Sequence, residues 1–176
     1  MDEQKIFLIT NGIFEQECLK EIAKDITREF NFPVSIYEGS LDLREFYDEV
    51  RRQYDGNRLL KEIEKMDFPD AIKKIGLFRN DIYIPILTFI FGQAIYKGNS
   101  GIASLYRLRN EQYGMKPDES KLLDRFKKVI IHELGHTFGL KHCYVPTCVM
   151  RSGTYVEHLD QKNHTLCKTC RSLVDR

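Results

Sequence analysis

The sequence predicts an α/β chain of the α+β kind: a body of strands and helices followed by a small irregular segment held by metal. Three observations carry this reading. The chain opens with a strand pattern that runs straight into a helical one. Its middle alternates short β-rich runs with turn residues, and one long helical pattern ends at Gly139, ahead of a segment holding four of the five cysteines. That segment has little periodicity of its own.

Lys5 to Thr10, with the apolar run Ile6 to Ile9, reads as a strand, and Asn11-Gly12 supplies the turn after it. From Glu15 to Phe30, the residues Cys18, Leu19, Ile22, Ile26 and Phe30 recur at helical spacing, and Cys18 reads as a small buried hydrophobe within it. Pro33 to Tyr37 alternates as a strand does. The charged stretch Leu41 to Met66 carries Phe46, Val50, Leu59, Leu60 and Ile63, and predicts one or two amphipathic helices interrupted at Asp55-Gly56-Asn57. Lys74 to Phe78, Leu87 to Tyr96 and Ile102 to Leu108 are β-rich, and the last two are expected to form a hairpin. The most apolar stretch, Ile82 to Tyr96, is broken by Pro85, Gly92 and Gln93 and is shorter than the roughly 20 residues that span a bilayer, so it reads as buried strands. Asp118 is placed to cap a helix over about 118–138, with Leu122, Leu123, Phe126, Val129, Ile130 and Leu134 on its apolar face and a left-handed stop at Gly139. No repeat or strong linker interrupts the chain, so 1–139 and 140–176 are expected to be subdomains rather than independent domains.

Composition narrows the function classes. Hydrophobic residues make 42% and charged residues 30% of the 176, a balance that supports a packed core and not a disordered chain. The 27 Lys and Arg nearly cancel 26 Asp and Glu, which counts against nucleic acid or an anionic membrane as the default partner. The N-terminal apolar run is too short for a signal-peptide core, and the expected location is the cytoplasm. A reducing cytoplasm keeps thiols free for metal, and an odd cysteine count with four clustered near the end favours metal over disulfides.

The chemistry concentrates on the long helix. His132 and His136 stand four apart and share one face, so two imidazoles reach one ion. Glu133 is one position along, which suits a carboxylate that contacts a metal-bound water and leaves the metal alone. Gly139 ends the helix and lets the chain double back, bringing His142 as third ligand. Three histidines leave a fourth zinc position open, the mark of a catalytic site. Cys143, Cys148, Cys167 and Cys170 form a second, four-thiolate set of the structural kind, which would staple the C-terminal segment; His158 or His164 in place of one cysteine is the rival partition. Two zinc ions per chain are therefore expected.

These residues, His132-Glu133-x-x-His136-x-x-Gly139-x-x-His142-Cys143, then Cys148-Val149-Met150 and Cys167-x-x-Cys170, resemble the archaemetzincins, a branch of the metzincin metallopeptidases. Phe89 to Ala94 and Ala103 to Leu108 are similar to that family as well, more weakly. The resemblance implies that Met150, which sequence alone makes a buried Met, lies in a turn beneath the zinc ligands. It also implies an N-terminal mixed sheet whose one antiparallel edge strand lines the cleft and pairs with an extended substrate. Ile102, Ala103, Ser104 and Leu105 are the expected edge strand.

The resulting expectation is a zinc peptidase, a monomer acting on a peptide or protein substrate, in which zinc polarises the scissile carbonyl and Glu133 handles the water's proton. A zinc-binding pseudoenzyme shares every ligand and is the first alternative. A nucleic-acid-binding zinc protein is the second, with the near-zero net charge against it.

Overall fold

Apolar side chains at every position from Ile6 to Ile9 leave the first strand no solvent face, and it lies inside a sheet. The structure, a computed structural model, describes residues 3–175. Strand β1 (Lys5–Asn11) pairs in parallel with β2 (Val34–Glu38), with Leu8 opposite Ile36. The helix between them, α1 (Gln16–Phe30), buries Leu19, Ile22, Ile26 and Phe30 as its periodicity requires, and ends at Asn31 in the left-handed conformation.

The middle of the chain departs from expectation. Leu41 to Met66 is not one or two helices. A single 3-10 turn, Leu43–Phe46, leads into β3 (Tyr47–Asp48) and β4 (Gln53–Asp55), an antiparallel pair, and only then comes α2 (Gly56–Lys65). Asp55-Gly56-Asn57 starts this helix instead of interrupting one: the Asp55 carboxylate accepts the Arg58 N–H at 3.2 Å, a cap the turn-like composition disguised.

β5 (Ala71–Phe78) returns to the other side of β1, in parallel. β6 (Ile82–Ile84) and β7 (Leu87–Ile90) then join β3 and β4 in a small sheet of order β3-β4-β6-β7, and β8 (Gly92–Ala94) leaves it for the main sheet. The stretch read as buried strands is thus three short ones, with Ile86 85% exposed at the turn between the first two. The expected hairpin exists in reduced form, as β8 antiparallel to β9 (Ser100–Ser104).

The main sheet is mixed, with order β2-β1-β5-β9-β8. This corrects the substrate-strand expectation. Ile102, Ala103 and Ser104 lie in β9, flanked by β5 in parallel and β8 in antiparallel, and Leu105 follows the strand with its N–H on Phe78 O. Side chains buried on both faces are what an interior strand demands, and the antiparallel edge is β8.

The long helix α3 (Glu119–Thr137) packs across β8 and β9, capped by Asp118, whose carboxylate accepts the Lys121 N–H at 2.9 Å. Beyond it come two short helices, α4 (Val156–Asp160) and α5 (Lys168–Val174), in otherwise irregular chain. Leu140, Val149, Met150, Leu159 and Leu166 enter the same apolar cluster as Ile6, Leu8, Ile130 and Leu134, so the residues on either side of Gly139 share a core. No helix among the described residues is long and apolar enough to cross a membrane.

Candidate functional site

α3 brings His132, Glu133 and His136 to the sheet edge, and the manner of its ending brings His142. The Leu140 N–H bonds Gly135 O at 2.9 Å and the Gly139 N–H bonds His136 O at 3.0 Å, a paired C-terminal closure that requires a left-handed residue; Gly139 supplies it at φ +89°. The chain reverses there, and the three imidazoles gather with ring centroids 4.7, 5.0 and 5.3 Å apart.

The imidazoles are oriented as metal ligands. His132 Nδ1 lies 2.8 Å from Val149 O and His136 Nδ1 2.8 Å from Leu140 O, so each Nδ1–H donates to a carbonyl and each Nε2 lone pair faces the centre. Those two Nε2 atoms are 3.1 Å apart, near the separation two ligands take on a tetrahedral zinc with bonds of about 2.0–2.1 Å. Burial lowers the pKa of all three histidines and keeps them neutral, as ligation needs. The donor set fits zinc.

Glu133 is 8% exposed and points into the cleft beside the histidines. Burial raises its pKa to about 8, with the Lys162 charge opposing. No donor among the described residues bonds its carboxylate, so both oxygens are free to meet a water or a substrate amine. Gly92 on β8 makes that approach possible: a Cβ there would sit 2.8 Å from Glu133 Cγ and 2.8 Å from Ile102 O.

Met150 lies directly beneath the histidine helix, fully buried, and a Cβ on Gly135 would fall on its sulfur. Its own carbonyl accepts the Cys143 N–H at 2.9 Å.

The four cysteines predicted to act together do come together. Cys143, Cys148, Cys167 and Cys170 have their sulfurs within 4.8 Å of one another, none in a disulfide. Cys143 Sγ and Cys167 Sγ are 3.8 Å apart, which is the edge of a tetrahedron whose metal–sulfur bonds are about 2.3 Å. Burial works to raise the Cys167 thiol, but the Cys170 N–H and the neighbouring thiols hold it down to about 7. Neither spare histidine joins this set. His158 Nδ1 accepts the Thr154 and Tyr155 N–H groups, and His164 lies near Asp25 and Asp124. Cys18 stands apart, half-buried on α1.

The cleft holds about 530 Å³. One rim is Leu87 to Ala94, the other Ser152 to Tyr155, and Val129, Leu159 and Lys162 close it beyond Glu133. Sequence reading missed Gly92, Gly135 and Lys162. A glycine inside a strand signals close approach of another group, a cue available at Gly92; nothing local distinguishes Lys162 from a surface lysine.

The sequence profile of peptidase family M54 matches residues 5–176. An archaemetzincin of Saccharolobus solfataricus is 33% identical, with 100% of this chain and 96% of that protein covered. One from Pyrococcus horikoshii is 39% identical over 75% of this chain and 72% of its own length. Among solved structures, an archaemetzincin of Methanopyrus kandleri aligns with TM-score 0.85 at 30% identity, covering 99% of this chain and 94% of its own. A zinc-dependent peptidase of Methanocorpusculum labreanum aligns with TM-score 0.84 at 29% identity, covering 96% and 99%.

Proposed function

The chain belongs to peptidase family M54, the archaemetzincin family, and from that premise we propose how its residues divide the work of a zinc metallopeptidase. His132, His136 and His142 hold a catalytic zinc, and Cys143, Cys148, Cys167 and Cys170 hold a second, structural one. Zinc in the histidine site supplies a Lewis acid that lowers the pKa of water and polarises a carbonyl. Glu133 takes a proton from the attacking water and returns it to the leaving amine. The observation that carries this is the position of Glu133, facing the cleft beside three imidazoles whose ring nitrogens converge within 4.8 Å, with no donor among the described residues bonding its carboxylate.

The substrate lies extended along β8. Phe91 O and Ile95 N are engaged by Ser104 N and Ser100 O of β9, so the strand's alternation turns the N–H and C=O groups of Gly92 and Ala94 outward to the cleft. A peptide adding there as a further strand presents its backbone to Glu133. We read the protein as a monomer of the cytoplasm, where four thiols stay reduced, with no nucleic acid in its function.

The test is metal analysis of the purified chain and its Glu133→Ala variant, coupled to hydrolysis of a mixed fluorogenic peptide library. Two zinc ions in both proteins, with cleavage lost only in the variant, is the expected result. Two zinc ions with cleavage by neither would mean a pseudoenzyme, and a cleaving variant would end the role of Glu133.

A further inference from the structure

Among the described residues four lysines are buried: Lys74, Lys127, Lys128 and Lys162. Lys127 pairs with Glu21 and Asp25, and Lys128 with Asp124. Lys74 reaches the carbonyls of Glu64 and Met66, away from the cleft. Lys162 is the one that lines the cleft, only 4% exposed, and among the described residues no carboxylate is in ion-pair contact with it. It donates to Val149 O and Arg151 O, both at 2.8 Å. An ammonium carries three N–H groups, so one remains. A buried cation without a charge partner is costly, and such a group facing a binding cleft implies that an anion completes it.

The surroundings define the anion. Val129 on α3 and Leu159 on α4 give the pocket apolar walls, and Tyr155 borders it from the facing rim. Glu133 and the Cys148 thiol are the acidic groups whose charge reaches Lys162, yet no hydrogen bond joins either to it; Cys148 belongs to the sulfur cluster and Glu133 is committed to proton transfer. Two carbonyls fix the ammonium in place, so a carboxylate arriving on a short apolar stem would meet a preorganised donor.

We propose that Lys162 makes this end of the cleft a subsite for a carboxylate, so that the peptidase prefers peptides with Glu or Asp beside the scissile bond. The proposal rests on the peptidase reading and deepens it. Lys162 then determines specificity by direct contact with substrate, while its bonds to Val149 and Arg151 serve to hold it in position.

Pairs of fluorogenic peptides, identical except for Glu or Gln next to the cut, on either side of it, provide the test. The native chain should cleave the Glu peptide of one pair with kcat/KM about tenfold or more above its Gln partner. Lys162→Met should abolish that difference and Lys162→Arg should keep much of it, with zinc content and circular dichroism reporting whether each variant folds. Independently of turnover, anisotropy should show Glu133→Gln protein binding the Glu peptide more tightly than the Gln peptide, and the double variant with Lys162→Met binding both alike. Equal cleavage of both peptides by the native chain would overturn the proposal. So would a preference that survives in folded Lys162→Met, or an equal slowing of all peptides by that change, which would make Lys162 a support for Glu133 alone. If the native chain cuts no peptide, the peptidase reading fails instead, and the binding comparison still decides the subsite.

Discussion

Gly92 and Glu133 show how closely the proposed catalytic carboxylate is framed. A methyl group on Gly92 would land on the Glu133 side chain and on the Ile102 carbonyl, so the carboxylate or the edge strand must move. Displacement near 1 Å at a catalytic group costs about 100-fold, and Gly92→Ala is expected to lower kcat/KM by about that factor while zinc content, measured by atomic absorption, stays at the native level. Glu133→Gln should keep the metal as well and slow turnover by about 10²- to 10⁴-fold, the usual contribution of a positioned acid–base group. The histidines and Glu133 were readable as a candidate site because side chains on one helix and the turn that closes it obey fixed short spacings, and the cysteines because they fall into two close pairs, Cys143 with Cys148 and Cys167 with Cys170. Gly92 and Lys162 were not, because their partners come from other elements: Gly92 meets α3 from a strand, and Lys162 is placed by the carbonyls of the turn around Met150.

At the level of elements, legibility followed the length of the periodic signal. α1 and α3 carry their apolar faces over several turns and lie within a residue or two of their expected bounds. The strands β3 and β4 are two and three residues long, too short for alternation to register, and their pairing comes from tertiary context. Edge and interior strands were exchanged because an apolar run says only that both faces are covered, not which neighbours cover them. Asp118 makes α3 dependable at its start, and Asp118→Ala should cost about 1 kcal/mol of unfolding free energy, measured by urea denaturation. The same helix is tied to the C-terminal segment by Arg125, 2% exposed, which bonds both Asp160 oxygens. The Arg125 hydrogen bond holds the Asp160 carboxyl below its ordinary value of 3.8. Since the folded-state pKa is the lower one, this pair's stabilisation is fully present above pH 3.8 and is lost as pH falls through the depressed value. Asp160→Asn should therefore destabilise the protein by about 2 kcal/mol at neutral pH, through a buried guanidinium left without its counter-charge, and by much less in acid. Urea midpoints for both proteins at neutral and strongly acidic pH would check it; an equal difference at both would remove the ion pair as the cause.

For the whole molecule, the question is how far the segment after Gly139 depends on metal. Leu140, Val149, Met150, Leu159 and Leu166 are embedded in the core cluster, which argues that apolar burial holds much of it. Four sulfurs within 4.8 Å argue the reverse, since without an ion the approach of Cys143 and Cys148 to Cys167 and Cys170 rests on two backbone bonds, Val149 N–H to Thr165 O at 3.0 Å and Asn163 N–H to Thr147 O at 2.9 Å, and on weak thiol contacts. The two proposed metal sites also share a turn. Cys148 is bonded in chain to Val149, whose carbonyl fixes the His132 ring, and Met150 beneath Gly135 takes the Cys143 N–H. Losing the thiolate metal should loosen that turn and weaken zinc at the histidines by about 10- to 100-fold, the usual cost of removing an outer support from a ligand. A Cys167→Ser, Cys170→Ser double variant tests both ideas at once. Hydrogen exchange should show lost protection at Val149 and from Leu166 to Val174, with β1, β5 and β9 still protected, and titration with a chelator should strip the histidine zinc sooner than in the native chain. If the sheet instead opens together with the tail, the residues before and after Gly139 form one cooperative unit, and the division into 1–139 and 140–176 has no thermodynamic meaning.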